Sequence, residues 1–321
     1  MRLSLTLIAA AVACTAAAGV HAQTYPNRTV RIVVPYAPGG NTDFTARAVA
    51  QKLTDNLGQQ FVVDNRPGGA TNIGTDMVAK ANPDGYTLLM GGASNAINMS
   101  LFAKLPYDTL RDFAMVSLCV QGANVLSLHP AVPAKTMKEL IALAKSKPGQ
   151  LNFASSGIGS SNQMAGELFK VMAGVNITHV PYKGNAPALT DTIGGQVEMI
   201  FSGVPALVPH IQSGRLRAIG IGSLKRFQAL PQVPTLDEQG LKGYEATTWF
   251  GLMAPVKVSR DIVTKVSVET DKVLKSADIR ERFVVEGLEP MGGTPDSFTA
   301  FVKREIDKYA KVIKAANIPL Q

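Results

Sequence analysis

The chain reads as an α/β protein of two domains, each built on a mainly parallel sheet, and three observations carry that reading. Short apolar runs such as Val30–Val34 alternate with longer amphipathic stretches, the pattern of strand followed by helix. Three successive early strands end in glycine-rich loops around Gly39-Gly40, Gly68-Gly69 and Gly91-Gly92. The same architecture then recurs after residue 137, with a second donor-rich loop at 155–161 in the corresponding place.

In order, Val30–Val34 is a buried strand, residues 35–40 a tight loop and 41–57 a helix. Ala46, Val49, Ala50, Leu53 and Leu57 recur at helical spacing and line one face of that helix. Asn41 or Thr42 is placed to cap it, and Asp43 falls in its first turn, where a negative charge suits the dipole. Gly39 and Gly40 remove side chains where strand meets helix, so free N–H groups and the positive dipole end offer a seat for an anion. Alone, Pro38-Gly39-Gly40 is also a plain tight turn.

Residues 60–64 and 86–90 are further strands, with a helix over 75–81 ended by the turn Asn82-Pro83-Asp84-Gly85. The apolar stretch 113–128, broken at Gln121-Gly122-Ala123-Asn124, can carry the chain from one domain to the other. Beyond it come a helix at 137–145, a strand at 151–154, and a helix at 162–173 with Ala165, Leu168, Phe169 and Met172 on one face. Strands at 177–181, 197–201 and 216–221 and a helix at 186–194 follow. Residues 247–254 look like a return strand, and helices at 261–275, 279–286 and 295–316 finish the chain, the last capped by Thr294 with Pro295 first. These final helices are amphipathic and need a sheet to cover, which predicts one domain from 24–123 with 247–321 and another from 124–246.

Residues 1–22 are read apart from the fold. Arg2, the apolar run 3–18 and Val20-His21-Ala22 make a secretory signal peptide, so export to the periplasm is expected. Lipidation at Cys14 is the rival reading, although Ala11-Val12-Ala13 lacks the usual leucine. No later segment reaches the roughly 18 apolar residues of a spanning helix. Without residues 1–22 the net charge falls from +8 to +7, because Arg2 is the single charged residue removed. No polybasic run with interleaved aromatics occurs, which argues against nucleic acid, while a mild positive field favours small anions. Cys119, the one cysteine left, lies in an apolar run and is expected to be buried.

The loop Ser155-Ser156-Gly157-Ile158-Gly159-Ser160-Ser161 has four hydroxyls, two glycines and no charge, and it opens a helix. Hydroxyls and backbone N–H groups can hold a carboxylate without a buried cation, whose desolvation is costly. Two domains whose strand ends face each other would set this loop and residues 38–43 across one cleft, a clamshell closed by hinge motion. Catalytic signatures are missing: there is no G-x-S-x-G, P-loop or G-x-G-x-x-G, and His129, His179 and His210 have no zinc-ligand spacing. A secreted serine hydrolase using Ser160, His179 and Asp191 stays as the alternative, with no spacing to support it. Trp249 and Tyr182 read as core or hinge packing.

An ordered set of short motifs spans the chain: Val34-Pro-Tyr-Ala-Pro-Gly-Gly-Asn-Thr-Asp43, Asn65-Arg-Pro-Gly68, Asn72-Ile-Gly74, Pro83-Asp-Gly-Tyr86, Ser155-Ser-Gly-Ile-Gly-Ser160, His179-Val-Pro-Tyr-Lys-Gly184 and Trp249-Phe-Gly251. In that order and spacing they resemble the Bug family, the substrate-binding proteins of tripartite tricarboxylate transporters. The resemblance implies a two-domain periplasmic-binding-protein fold of type II, a clamshell or Venus-flytrap with two crossovers and the ligand in the interdomain cleft. It implies a small carboxylate, aromatic acid or amino acid as ligand, and large and small integral-membrane subunits as partners, or an orphan role as a ligand sensor. No cofactor, metal or catalysis is expected, and the protein is expected to act as a monomer. The candidate ligand contacts are Gly39, Gly40, Asn41, Thr42, Thr71, Asn72, Ser94, Asn95, Ser155, Ser156, Gly157, Ser160, Ser161, Gln163, Tyr182, Lys183, Gly184 and Ser202. The chain departs from the family pattern at Gly69-Ala70-Thr71, where Ala-Gly-Gly is common, at Gln163, where histidine is frequent, and at Ser202, where aspartate is. The turn at 254–259 also lacks the family's glycine and second proline.

Overall fold

The computed structural model describes residues 25–321, so the leader expected at 1–22 lies outside the described residues. In the first half, β1 (Val30–Val34), β2 (Phe61–Asn65) and β3 (Thr87–Gly92) run parallel in the order β2-β1-β3. Helices α1 (Asn41–Leu57), α2 (Asn72–Ala79) and α3 (Ala93–Leu101) connect and follow them. The long β4 (Phe113–Leu128) then crosses into the second half, where α4 (Met137–Ser146), β5 (Asn152–Ser155), α5 (Ser161–Ala173), β6 (Thr178–Pro181), α6 (Asn185–Ile193), β7 (Met199–Gly203), α7 (Val204–Gln212) and β8 (Arg217–Ile221) repeat the pattern. The chain returns through β9 (Thr247–Pro255) and ends in α8 (Arg260–Lys275), α9 (Ala277–Val285), β10 (Leu288–Pro290) and α10 (Pro295–Ala315).

Two strands join the halves. β9 lies antiparallel between β3 and the first part of β4, pairing Phe113 with Pro255 and Ala123 with Thr247. From Asn124 to Leu128, β4 changes partners and lies between β7 and β8. Gly222 stitches the junction: its N–H donates to the Asn124 carbonyl and its carbonyl accepts from Ala246 N–H, both at 2.7 Å. A Cβ on Gly222 would sit 2.9 Å from the Asn124 oxygen and 3.0 Å from the Ala246 oxygen, so only glycine lets these segments approach so closely.

Each sheet is covered on both faces, which explains why central strands such as β3, β4 and β9 are mostly apolar and buried. Along β1, Ile32 and Val34 join α1, α8 and α9 on one side, while Val33 meets α2, α3 and α10 on the other. In β5, Phe153 and Ala154 likewise serve opposite layers. The apolar face read on α1 is buried at Ala46, Val49, Ala50 and Leu53, and Cys119 is fully buried as expected.

Several local expectations change. No side chain caps α1: its N-cap is Gly40, and Asn41 and Thr42 are already helical. The loop expected after β3 is the start of α3, since Ala93 follows Gly92 directly into helix. The break expected at 121–124 is absent, because Gln121 and Gly122 pair with Trp249 and Thr248 inside a continuous strand. Helix α7 escaped a pattern reading because Pro205 and Pro209 look like breakers; Pro205 lies in the first turn, where an N–H has no intrahelical partner to lose.

Candidate functional site

The helices differ in how they begin, and the difference maps onto the fold. Three that start away from the parallel strand ends carry side-chain caps, Thr136 for α4, Ser259 for α8 and Thr294 for α10 each accepting a first-turn N–H, while α9, behind Ser276, has none. Four that start at or just after the carboxyl end of a parallel strand do not. α1, α3, α6 and α7 have Gly40, Gly92, Gly184 and Gly203 as N-caps, so no N-cap side chain takes their first-turn N–H groups.

These starts converge. A Cβ on Gly203 would lie 3.7 Å from Asn41 Nδ2, which joins the α7 and α1 starts across the two halves. Ser94 on α3 donates to the Gly159 carbonyl at 3.1 Å, joining α3 to the 155–160 loop. Gly184 N–H donates to the Ser156 carbonyl at 3.1 Å, and Ser202 donates to Asn185 Oδ1 at 2.7 Å, tying α6 to that loop and to the end of β7. The starts of α1, α3, α6 and α7 thus gather where the two halves meet, and a helix N-terminus is a favourable place for an anion.

Around α1 the loop is held by Asp43. Its carboxylate accepts from Gly39 N–H at 3.0 Å, from Asn65 Nδ2 at 3.0 Å and from Arg47, also at 3.0 Å. Burial pushes the Asp43 carboxyl up, but the bonds from Arg47, Gly39 and Asn65 outweigh it and hold it below the usual range. This gives Asp43 a structural task, as the sequence suggested. Asp43→Asn is expected to cost about 1 kcal/mol of stability through the lost ion pair. It should leave ligand affinity unchanged or higher, since a negative charge near the cleft disappears. Because the folded value is depressed, the charge's contribution is present above the unfolded value near 4 and lost as pH falls through the folded one. Urea titrations at pH 7 and pH 3 check this: the difference between wild type and variant should shrink at the lower pH.

The 155–160 loop is more self-contained than its composition suggested. The Ser155 hydroxyl is fully buried, lies 2.7 Å from His179 Nε2 and accepts from Gly157 N–H at 3.1 Å. Ser156 donates to Asn162 Oδ1 at 2.6 Å, and Asn162 Nδ2 donates to Asn124 Oδ1 at 3.0 Å. Ser160 donates to the Gly157 carbonyl at 2.6 Å and caps α5 by accepting from Gln163 N–H. Gln163 Oε1 takes the Gly159 N–H at 2.8 Å. As the loop stands, the hydroxyls of Ser155, Ser156 and Ser160 are engaged within the protein and shape the loop. The Ser161 hydroxyl, by contrast, has no partner among the described residues.

On the first half, Asn95 is fully buried, takes the Gly92 N–H and donates to Thr75, while Asn72 Oδ1 accepts from Asn98 and Tyr107. The Thr42 hydroxyl and the Asn41 side-chain amide have no partner among the described residues. Lys183, just before Gly184 at the start of α6, is exposed and makes no ion pair among the described residues. Tyr36 lies against the Ser94 N–H and hydroxyl at the start of α3, and burial raises its hydroxyl above the ordinary value. Tyr36, Asn98 and Asn185 were not read as site residues. The one signal was a glycine closing each strand, with the helix beginning at once behind it.

A triad does not form. His179 faces Ser155 instead of Ser160, and Asp191 accepts from the Tyr182 hydroxyl at 2.8 Å. Burial, helped by the Lys170 charge, lowers His179 to about 4, so the ring is neutral at pH 7. It stacks on Phe153 at 4.9 Å, and no carboxylate among the described residues orients it. Trp249 is fully buried and donates to Glu305 at 3.1 Å, which makes it core. No group of three metal-ligating side chains occurs among the described residues, and no helix there is long and apolar enough to cross a membrane.

Two mixed α/β halves, two joining strands and a cleft ringed by helix starts define a two-domain solute-binding fold. The sequence model of the tripartite tricarboxylate transporter family receptor matches residues 45–318, and the chain belongs to that family. Protein BugT of Bordetella pertussis is 38% identical over 307 residues, covering 95% of this chain and 94% of the relative. The solved structure of R. palustris Rpa4515 with adipate superposes with a TM-score of 0.85 at 36% identity, covering 92% of this chain and all of that one (100%). MatC from Rhodopseudomonas palustris with bound malate has a TM-score of 0.81 at 31% identity, covering 90% of this chain and 100% of its own.

Proposed function

We propose that this chain is an exported periplasmic receptor that captures a small carboxylate between two hinged domains, residues 25–123 with 247–321 and residues 124–246. It then delivers the acid to the large and small membrane subunits of a tripartite tricarboxylate-type transporter. The observation that carries the proposal is the set of helix starts left without side-chain caps around one cleft. Such ends attract an anion with about 0.3–1 kcal/mol of dipole interaction each, before hydrogen bonds are counted. Relatives holding adipate and malate support the same ligand class. On this reading the acid's carboxylate sits against the N–H groups of Asn41 and Thr42, with the Thr42 and Ser161 hydroxyls in reach. Lys183 adds attraction from the rim.

A thermal-shift screen of mono-, di- and tricarboxylates tests it. An acid at ten times its dissociation constant should add about 1.4 kcal/mol to stability, seen as a rise in melting temperature. Stabilisation by neutral sugars with none by any carboxylate would sink the proposal.

A further inference from the structure

We propose that Asn185 is the contact by which the second half grips the ligand's carboxylate, opposite Asn41 of the first half in a two-amide clamp. The inference rests on the reading of this junction as a carboxylate site. It names a residue that makes the protein prefer an acid to its amide.

The two asparagines come from opposite halves and reach one place, the end of β7. Asn41 opens α1, and its Nδ2 lies 3.7 Å from where a Cβ on Gly203 would stand. Asn185 opens α6, and its Oδ1 accepts at 2.7 Å from the hydroxyl of Ser202, the residue before Gly203.

The Ser202 bond fixes which way the Asn185 amide faces. Ser202 is 1% exposed, and its hydroxyl hydrogen has no other acceptor among the described residues. A buried hydroxyl keeps its hydrogen paired, so the amide presents its oxygen to Ser202 and turns its NH2 away. That NH2 has no partner among the described residues, and neither has the Asn41 NH2. Both residues are only partly buried and neither nitrogen is sealed, so a solute can reach them.

Chemistry selects the occupant. An amide NH2 donates and does not accept, so a group between two of them must accept. A carboxylate brings two acceptor oxygens, one for each side, and bonds to a charged acceptor are the stronger kind. The nearby acids do not compete for these donors. Asp43 is held by Gly39, Asn65 and Arg47, and Asp191 accepts from Tyr182. A primary carboxamide has one acceptor oxygen, and its own NH2 would face an NH2 of the clamp. Neutral amides also spare the site a buried cation, whose desolvation is costly.

Calorimetric titration with matched pairs tests this: propionate against propionamide, benzoate against benzamide, and adipate against adipamide. The wild-type protein should prefer the acid. Asn185→Ala should weaken each acid that the wild type binds by at least about tenfold, the worth of a bond to a charged group. Asn185→Asp is the sharper variant, because it keeps the acceptor for Ser202 and replaces only the NH2 by a charged oxygen. A negative charge in the first turn of α6 suits the helix, so its melting temperature should hold or rise. Its affinity for the acids should nevertheless fall by about a hundredfold, and the preference for acid over amide should narrow or reverse. A purely structural asparagine would not separate stability from affinity in this way. Acid affinities within about twofold of wild type in both variants would overturn the inference and leave water as the partner of these amides. If the alanine variant does not fold, the aspartate variant decides. The carboxylate reading fails separately: the wild type then binds none of the acids, and this inference falls with it.

Discussion

Gly40→Val is expected to weaken binding of the cleft ligand at least about tenfold while the protein stays folded. Gly40 has φ −89° and ψ 172°, an extended conformation that valine adopts readily. A Cβ placed on it meets no atom within 4 Å, so the fold has room for the branch. The open space it would enter lies directly before the first N–H groups of α1, where the proposed carboxylate sits. Glycine is the better N-cap, which costs the variant up to about 1 kcal/mol. For a protein of this size that lowers the melting temperature by no more than about 4 °C. Thr42→Ala should cost less affinity, about one hydrogen bond, because the backbone seat remains. Titration of both variants with the acid found by screening settles the order. Normal binding by Gly40→Val would show that the anion does not sit at α1.

The largest loss of stability should come from Gly166→Ala, at about 3 kcal/mol before any compensation. Alanine in a helix ordinarily gains about 1 kcal/mol over glycine, so propensity alone predicts the opposite sign. Packing decides. A Cβ on Gly166 would come within 2.2 Å of the Phe153 ring, and that ring cannot easily yield. It stacks on His179 at 4.9 Å and meets Phe201 edge-on at 5.9 Å. The net cost of about 2 kcal/mol should appear in urea unfolding as a lower midpoint with an unchanged slope. Since Phe153 lies two residues before Ser155 on β5, the 155–160 loop should shift as well. An equal or higher midpoint would mean that α5 stands further from β5 than described.

The large-scale architecture was legible because burial on both faces writes itself into the sequence. β1 and β3 are mostly apolar, and α1 shows its buried face at helical spacing. What stayed hidden depends on partners distant in the chain. Gln121 and Gly122 look like a break, yet cross-strand pairing with Trp249 and Thr248 overrides the local preference. The hydroxyls at 155–160 were found as a donor-rich loop, but composition does not tell whether a donor faces a ligand or its own loop. Ser155 is claimed by His179, 24 residues away, and Ser156 by Asn162. Asn98 gave no signal, because a buried asparagine on a helix is distinguished only by what its oxygen lacks.

The bond from Ser156 to Asn162 and on to Asn124 continues, since Asn124 Nδ2 donates to the Ala246 carbonyl at 3.2 Å. This relay starts in the 155–160 loop and ends at the point where both joining strands are pinned by Gly222. On the proposed clamshell reading, loop shape and hinge angle belong to one equilibrium. A ligand that prefers the loop as it stands here also prefers this hinge angle, by the same free energy. Moving the receptor from 99% open to 99% closed needs about 5.5 kcal/mol of such preference. A solute that merely fits the open cleft, however tightly, would occupy the protein without closing it. Discrimination at the transporter can then be a matter of which acids shut the receptor, and only secondarily of which acids it holds.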